Sequence, residues 1–203
     1  MNYELFTAFV LITVVLIITP GPVVTLVIAT GATHGVRAAL TTVLGTTIGN
    51  AILIAAIAAG LSWVLKNAAE LFEILRWAGV AYLVWLGIQA WRSAGKIIDE
   101  PLQARVHFWR GMGVALTNPK TIAFFTAFLP QFVDPALPAE RQLFVMCATS
   151  ILIAWMFDSA WAIAAGLGRA WFMAPSRAKL LGRLSGAVLI GGGIWVSLAR
   201  RPA

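Results

Sequence analysis

Cysteine is nearly missing from this 203-residue sequence: Cys147 stands alone, so no internal disulfide can form, and a small buried hydrophobe is its expected role. Charge is scarce as well. Charged residues make up 11% of the chain and hydrophobic ones 60%, against roughly a quarter charged in an ordinary soluble domain. That balance excludes a soluble globule, a collagen-like chain, a disordered chain and a disulfide-stapled scaffold. The two histidines, His34 and His107, have no metal-ligand spacing and are expected in solvated turns. There is no Gly-x-Ser-x-Gly, no Walker loop and no pair of carboxylates within an apolar span, so neither ATP hydrolysis nor another enzyme activity is expected, and no cofactor or metal. The net charge of +7 does not indicate nucleic acid, because the basic residues lie between apolar segments instead of forming a stripe interleaved with aromatics.

What the sequence has in abundance is long apolar runs. Leu5 to Val36 and Ala38 to Leu65 contain no Lys, Arg, Asp or Glu, and a membrane-spanning helix needs about 20 predominantly apolar residues. Charge-poor segments fall at about Leu5–Thr30, Ala38–Leu65, Trp77–Trp91, Gly111–Val133, Gln142–Ala165 and Leu184–Ala199. The expected fold is therefore an all-α membrane protein of six transmembrane helices in a single domain over residues 1–203. The N-terminal Met-Asn-Tyr-Glu lacks the basic region of a cleaved signal, so the first span is expected to be retained. Gly31 to Gly35, Gly95 to Val106 around Pro101, and Asp134-Pro-Ala-Leu-Pro138 mark connections.

Lysine and arginine set the expected orientation. The side carrying loops 1–2, 3–4 and 5–6 holds nine of them, from Arg37 to Arg183, and the other side holds five, including Arg200 and Arg201. The positive-inside rule makes the first side cytoplasmic and puts both termini outside.

Two spans are interrupted in matching places. The first contains Thr19-Pro20-Gly21-Pro22 and the fourth Thr117-Asn118-Pro119-Lys120, beginning 98 residues apart. Each opens a set of three helices, so the second set enters the membrane inverted, giving repeats of about 1–92 and 107–203 with helices 1 and 4 broken at mid-membrane. Proline ends one half-helix and suits the first position of the next. The new half-helix then points free N–H groups and its positive dipole end at the midplane, where a carboxylate would be held, while freed carbonyls of the preceding half could accept from an ammonium. A zwitterion could use both. A plain proline kink remains the alternative for either break alone.

Two charges fall within the same depth. Lys120 follows the second break and Asp158 lies inside the fifth span; a charge there costs at least about 2.5–3.5 kcal/mol and normally faces a partner or a cavity. The two are natural partners, either as a structural pair or with Asp158 binding a substrate ammonium or a coupling proton. Asn50, Thr19 and Thr117 are secondary candidates for a cavity, with inter-helix hydrogen bonding the commoner use of such residues. Gly45-x-x-x-Gly49 and Gly182-x-x-x-Gly186 allow close helix packing.

With those residues assembled, the chain resembles the lysine exporter (LysE) superfamily, within it the homoserine and threonine exporter branch (RhtB type). The resemblance rests on Thr19-Pro-Gly-Pro22, Gly45-x-x-x-Gly49, Arg76-Trp-Ala-Gly79-Val-Ala-Tyr82-Leu-Val-Trp-Leu-Gly87-Ile, Leu116-Thr-Asn118-Pro119-Lys120, Phe128-Leu-Pro130-Gln131-Phe132 and Asp158, and runs through nearly the whole chain. It implies a secondary transporter of the bacterial inner membrane, a homodimer among lipid, exporting neutral or hydroxylated amino acids or derivatives such as homoserine, threonine or a leucine-like molecule by proton antiport. It carries over Pro20, Gly21, Pro22, Asn118, Pro119, Lys120 and Asp158 as the site, with Asp158 the proton-coupling candidate. Many relatives have Asn directly after Pro-Gly-Pro where this chain has Val23-Val24, which removes one polar ligand. A metal-ion or other small-solute exporter of related architecture is the alternative; it would want several carboxylates or thiolates along its path.

Overall fold

The computed structural model describes residues 1–67, 69–92, 104–172 and 174–198, and every regular element among them is helical. Helix α1 (Tyr3–Ile18) is started by Asn2, whose side-chain oxygen accepts from the amides of Glu4 and Leu5 at 3.1 and 3.3 Å. Pro20 stops it, because the residue before a proline is pushed out of the helical region and Thr19 accordingly takes φ −69°, ψ 121°. Helix α2 (Pro22–His34) restarts with proline at its first position, where no amide hydrogen is needed. The two halves meet at a 45° bend. Helix α2 ends at Gly35, whose φ of +85° would strain any residue bearing a Cβ. That one residue reverses the chain, and α3 (Val36–Asn67) begins directly after it.

Helix α4 (Ala69–Arg92) completes the first half; the second comprises α5 (Ala104–Leu116), α6 (Pro119–Ala127), a 3-10 turn (Leu129–Phe132), α7 (Ala139–Leu167), the short α8 (Arg169–Phe172) and α9 (Pro175–Leu198). Helices thus occupy all six predicted segments. Among the described residues, Val36–Leu61 and Ala139–Leu167 are long and apolar enough to cross a membrane, and the bent pair α1–α2 makes a third. At 1.5 Å per residue the 29 residues of α7 extend about 44 Å, ample for a hydrocarbon core of about 30 Å. Helix α9 begins nine residues before the predicted sixth span, and α8 was not foreseen. The stretch around Pro101 and the Arg200-Arg201 pair lie outside the described residues.

Small residues let the helices approach. Helix α3 packs against α5 and α7, and α4 against α9. A Cβ added at Gly49 would fall 2.6 Å from the Met112 carbonyl oxygen, and one at Gly186 2.7 Å from that of Gly87. In lipid, where tails are as apolar as leucine, such close backbone packing replaces the hydrophobic effect as the force between helices.

Two apolar clusters frame the interior. The larger gathers Phe9, Phe124, Phe128, Leu129, Phe132 and Met146 toward the end of the molecule marked by Asn2 and Asp134, with Phe9 and Phe132 edge to face at 5.5 Å. The smaller, Val27, Ala39, Val43 and Ala162, lies toward the Gly35 end. At the first end Asn2 Nδ2 donates to Asp134 Oδ2 at 3.1 Å, and Gln142 bonds both the amide and the carbonyl of Asp134. The Ala136 amide, and after it Asn2, hold the Asp134 carboxyl below its ordinary range. At the opposite end the last residue of α2 meets the first turns of α5: the His34 and His107 rings stand edge to face at 5.0 Å. His107 is 3% exposed within α5, so the expectation of a solvated turn is corrected for it, whereas His34, the last residue of α2, is exposed. The sharp turn at Gly35 leaves α2 intact to His34 and carries that end against α5, a tertiary contact with no local signal.

Candidate functional site

A cavity of about 50 Å³ opens between the two helix breaks, lined from α1 by Thr13, Leu16 and Ile17, from the first break by Gly21, Val23 and Val24, and from α3 by Asn50 and Ile54. The second break adds Asn118, Lys120, Thr121 and Phe125 from α6, and α7 adds Ser150, Ala154 and Asp158. The volume suffices for a few waters at about 10–15 Å³ each. An amino acid needs the surrounding helices to move apart.

Lysine 120 organises the site. Its backbone lies at the start of α6, and its stem crosses to the other break, where Nζ donates to the carbonyl oxygens of Leu16 at 2.6 Å and Thr19 at 2.5 Å. These belong to the end of α1, where the last turn of any helix leaves carbonyls without intrahelical partners and a net negative dipole end. The residue is 6% exposed. Glycine 21 makes room for the crossing: a Cβ there would stand 2.8 Å from Lys120 Cδ and 3.4 Å from Nζ. Its φ of −131° is ordinary, so space and not backbone strain calls for glycine at this position.

Two expectations change as a result. The freed carbonyls of α1 were assigned to a ligand ammonium, but the protein's own lysine takes them. The expected direct Lys120–Asp158 ion pair is not formed either: no N···O contact within 4.0 Å joins them, although both face one cavity and lie within electrostatic reach. The ammonium is taken up by two carbonyls of α1, and Asp158, 3% exposed, lines the cavity. No hydrogen bond to that carboxylate is formed among the described residues.

Asn118 is also spent within the protein. Its oxygen accepts from the Lys120 amide at 3.1 Å as the N-cap of α6, and its Nδ2 donates to Thr121 Oγ1 at 2.8 Å. The start of α2 has no such cap. Pro22 has no hydrogen to offer, the Thr25 amide returns to Gly21 O at 2.8 Å, and Val23 and Val24, whose amides at the first turn of a helix have no intrahelical acceptor, both line the cavity. Val23 and Val24 thus bring apolar side chains and an uncapped helix start to the cavity.

Residues 14–199 match the family described as LysE type translocator. The chain belongs to that family. The homoserine/homoserine lactone efflux protein of Salmonella typhimurium is 35% identical over 204 residues, covering 98% of this chain and 99% of the relative. An uncharacterised membrane protein of Vibrio cholerae is 31% identical across 98% of this chain and all of its own. The leucine efflux protein of an Enterobacter strain is 33% identical over 71% of each chain. No solved structure matches.

Within this LysE-type chain, Gly21, Asn50, Asn118, Lys120 and Asp158 come together on one cavity. Pro20, Pro22 and Pro119 shape the breaks without lining it. Thr19 contributes its carbonyl, while its hydroxyl returns to Val15 O at 2.6 Å, and the Thr117 hydroxyl returns to Gly113 O at 2.9 Å. Sequence reasoning passed over Thr13, Thr121 and Ser150. Threonine and serine are common in apolar helices because they satisfy themselves on the preceding turn, as Ser150 does on Met146 O at 2.8 Å. Only their placement separates a lining residue from the rest.

Proposed function

We propose that this chain is a secondary exporter that carries neutral or hydroxylated amino acids, or close derivatives, out of the cytoplasm of a bacterium in exchange for protons. The observation that carries the reading is the pairing, on one cavity, of an unpartnered carboxylate at Asp158 with an uncapped helix start at Val23 and Val24. A zwitterion matches both: its ammonium pairs with Asp158, and its carboxylate accepts from the α2 amides at the positive dipole end. The names of the relatives agree with a common amine. Homoserine and its lactone share the ammonium; the lactone joins the carboxyl and the side-chain hydroxyl in one ring ester, which keeps a carbonyl that still accepts N–H bonds.

Antiport follows from competition for one carboxylate. Asp158 facing the cytoplasm releases its proton and takes the substrate ammonium; facing outside, it gives up the substrate as a proton returns. With a net-neutral zwitterion leaving and one proton entering, each cycle moves one positive charge inward, so an inside-negative potential of 100 mV adds about 2.3 kcal/mol of drive. Lys120 remains a fixed charge tethering α6 to α1 throughout.

The motion required is that of two inverted three-helix repeats, about residues 1–92 and 107–203, rocking around the cavity in a six-span bundle. Helix packing supports this reading: α3 contacts α7 and α4 contacts α9, pairing the equivalent members of the two halves, and each half opens on a broken helix. The protein sits in the inner membrane as a homodimer surrounded by lipid, with the Asn2 and Asp134 end outside. It has no enzymatic role.

The test is gradient-driven efflux of labelled threonine, homoserine and leucine from proteoliposomes, together with growth protection of cells against toxic amino-acid analogues. Efflux that rises with an imposed pH gradient and protection by the expressed protein are expected. Flux indifferent to the gradient removes the proton coupling, and a lack of both flux and protection with the protein in the membrane removes the exporter reading.

A further inference from the structure

Two polar side-chain atoms of the cavity have no hydrogen-bond partner among the described residues. Thr13 Oγ1 and Asn50 Oδ1 are enclosed and make no hydrogen bond, with Thr13 0% and Asn50 7% exposed. Six other helical threonines behave differently. The hydroxyls of Thr7, Thr33, Thr41, Thr42, Thr46 and Thr47 all donate to a carbonyl three or four residues earlier, at 2.7–3.1 Å. The Thr13 hydroxyl makes no such bond and lies on the cavity, as does Asn50 on the facing helix α3. A buried donor or acceptor without a partner is costly, and the cost vanishes when a ligand supplies the missing group.

We infer that Thr13 and Asn50 form the subsite for the substrate's side chain, and that the preferred substrate is therefore a short amino acid carrying a hydroxyl group there, over an aliphatic one of similar size. The inference rests on the exporter reading above and names the substrate class of the same cavity. A substrate hydroxyl donates its hydrogen to Asn50 Oδ1 and offers its oxygen to the Thr13 hydroxyl, directly or through a water for which the cavity has room. An aliphatic side chain leaves both protein atoms unpaired. Sites built to bond a substrate hydroxyl reject the analogue lacking it far more strongly than apolar pockets reject an extra group.

The experiment is counterflow of labelled homoserine and labelled leucine in proteoliposomes holding the full-length wild type, Thr13→Val, Thr13→Ser or Asn50→Leu. Wild type is expected to prefer homoserine by about tenfold or more in kcat/KM. The near-isosteric Thr13→Val and Asn50→Leu should each cut that ratio by about tenfold, mainly by slowing homoserine, and Thr13→Ser should restore it. Because the ratio is taken within one preparation, a variant that merely folds poorly slows both substrates together. Equal transport of the two amino acids by wild type, or an unchanged ratio in both Thr13→Val and Asn50→Leu, overturns the subsite while leaving the exporter intact. No counterflow of any amino acid by wild type overturns the exporter reading itself.

Discussion

At the first break, Thr19-Pro20-Gly21-Pro22 ends α1 and starts α2 with no side-chain cap, and Val23 and Val24 of its first turn line the cavity. At the second, Thr117-Asn118-Pro119-Lys120 carries its own cap in Asn118 and its own cation in Lys120, which crosses to satisfy the carbonyls of the first. Similar motifs thus have unequal chemistry. One break is capped and bonded by the protein's own side chains, while the other starts its helix with no side-chain cap, the place the proposed function gives to a substrate carboxylate. The start of α2 and the lysine that tethers α6 to α1 line one cavity.

The largest expected effect comes from cutting that tether. Lys120→Met leaves the Leu16 and Thr19 carbonyls without donors and Asp158 without its nearby positive charge, so transport should fall by on the order of hundredfold, the scale of stranding one buried charge. Lys120→Arg should not rescue it, since a planar guanidinium does not replace a compact ammonium between two carbonyls. Efflux by membrane-inserted variants checks both.

Gly21→Ala ranks second. Its methyl group would stand 2.8 Å from Lys120 Cδ, so the lysine must leave its carbonyls or the break must widen; a ten- to hundredfold loss of efflux is expected, as for other misplacements near 1 Å. Asn118→Ala should behave differently, because the second break is structural. Losing an N-cap costs about 1 kcal/mol, or about 2–4 °C in Tm, with little change in KM. A large KM effect for Asn118→Ala with unchanged Tm would reverse the assignment of the two breaks.

The smallest effect belongs to the histidine contact between α2 and α5, which joins the far halves of the two broken helices. Burial, then His34, then Arg110 hold the His107 pKa below 6.5. The native state therefore resists protonation, so the stability of this contact is complete above about pH 6.5 and is lost as pH falls below it. Thermal unfolding should show a modest drop in Tm of a few degrees below that pH, absent in His107→Gln.

Charge scarcity made the centre of the site legible. In a chain with 23 charges, nearly all between apolar runs, Lys120 and Asp158 stood out by position alone. The prolines likewise announced both breaks, since their effect on the backbone is local. The long spans at α3 and α7 were readable for the same reason, from continuous apolar length. What stayed hidden depends on which groups meet across the bundle. Lys120 and Asp158 were expected to pair, yet the choice of Leu16 and Thr19 carbonyls is set by how α1 ends beside α6. Asn118 lines the cavity as read, but that its side chain also caps α6 was not. Thr13 looked like any other threonine in an apolar helix until its missing hydrogen bond set it apart.

The central claim is that substrate ammonium and proton compete for Asp158 opposite the open helix start of the first break. Homoserine efflux driven by an imposed pH gradient, compared between wild type and Asp158→Asn in proteoliposomes, tests it most directly. Wild type should couple efflux to the gradient, and Asp158→Asn, which can neither bind an ammonium as an anion nor exchange a proton, should show no gradient-driven efflux. Full coupled efflux by Asp158→Asn would contradict the account.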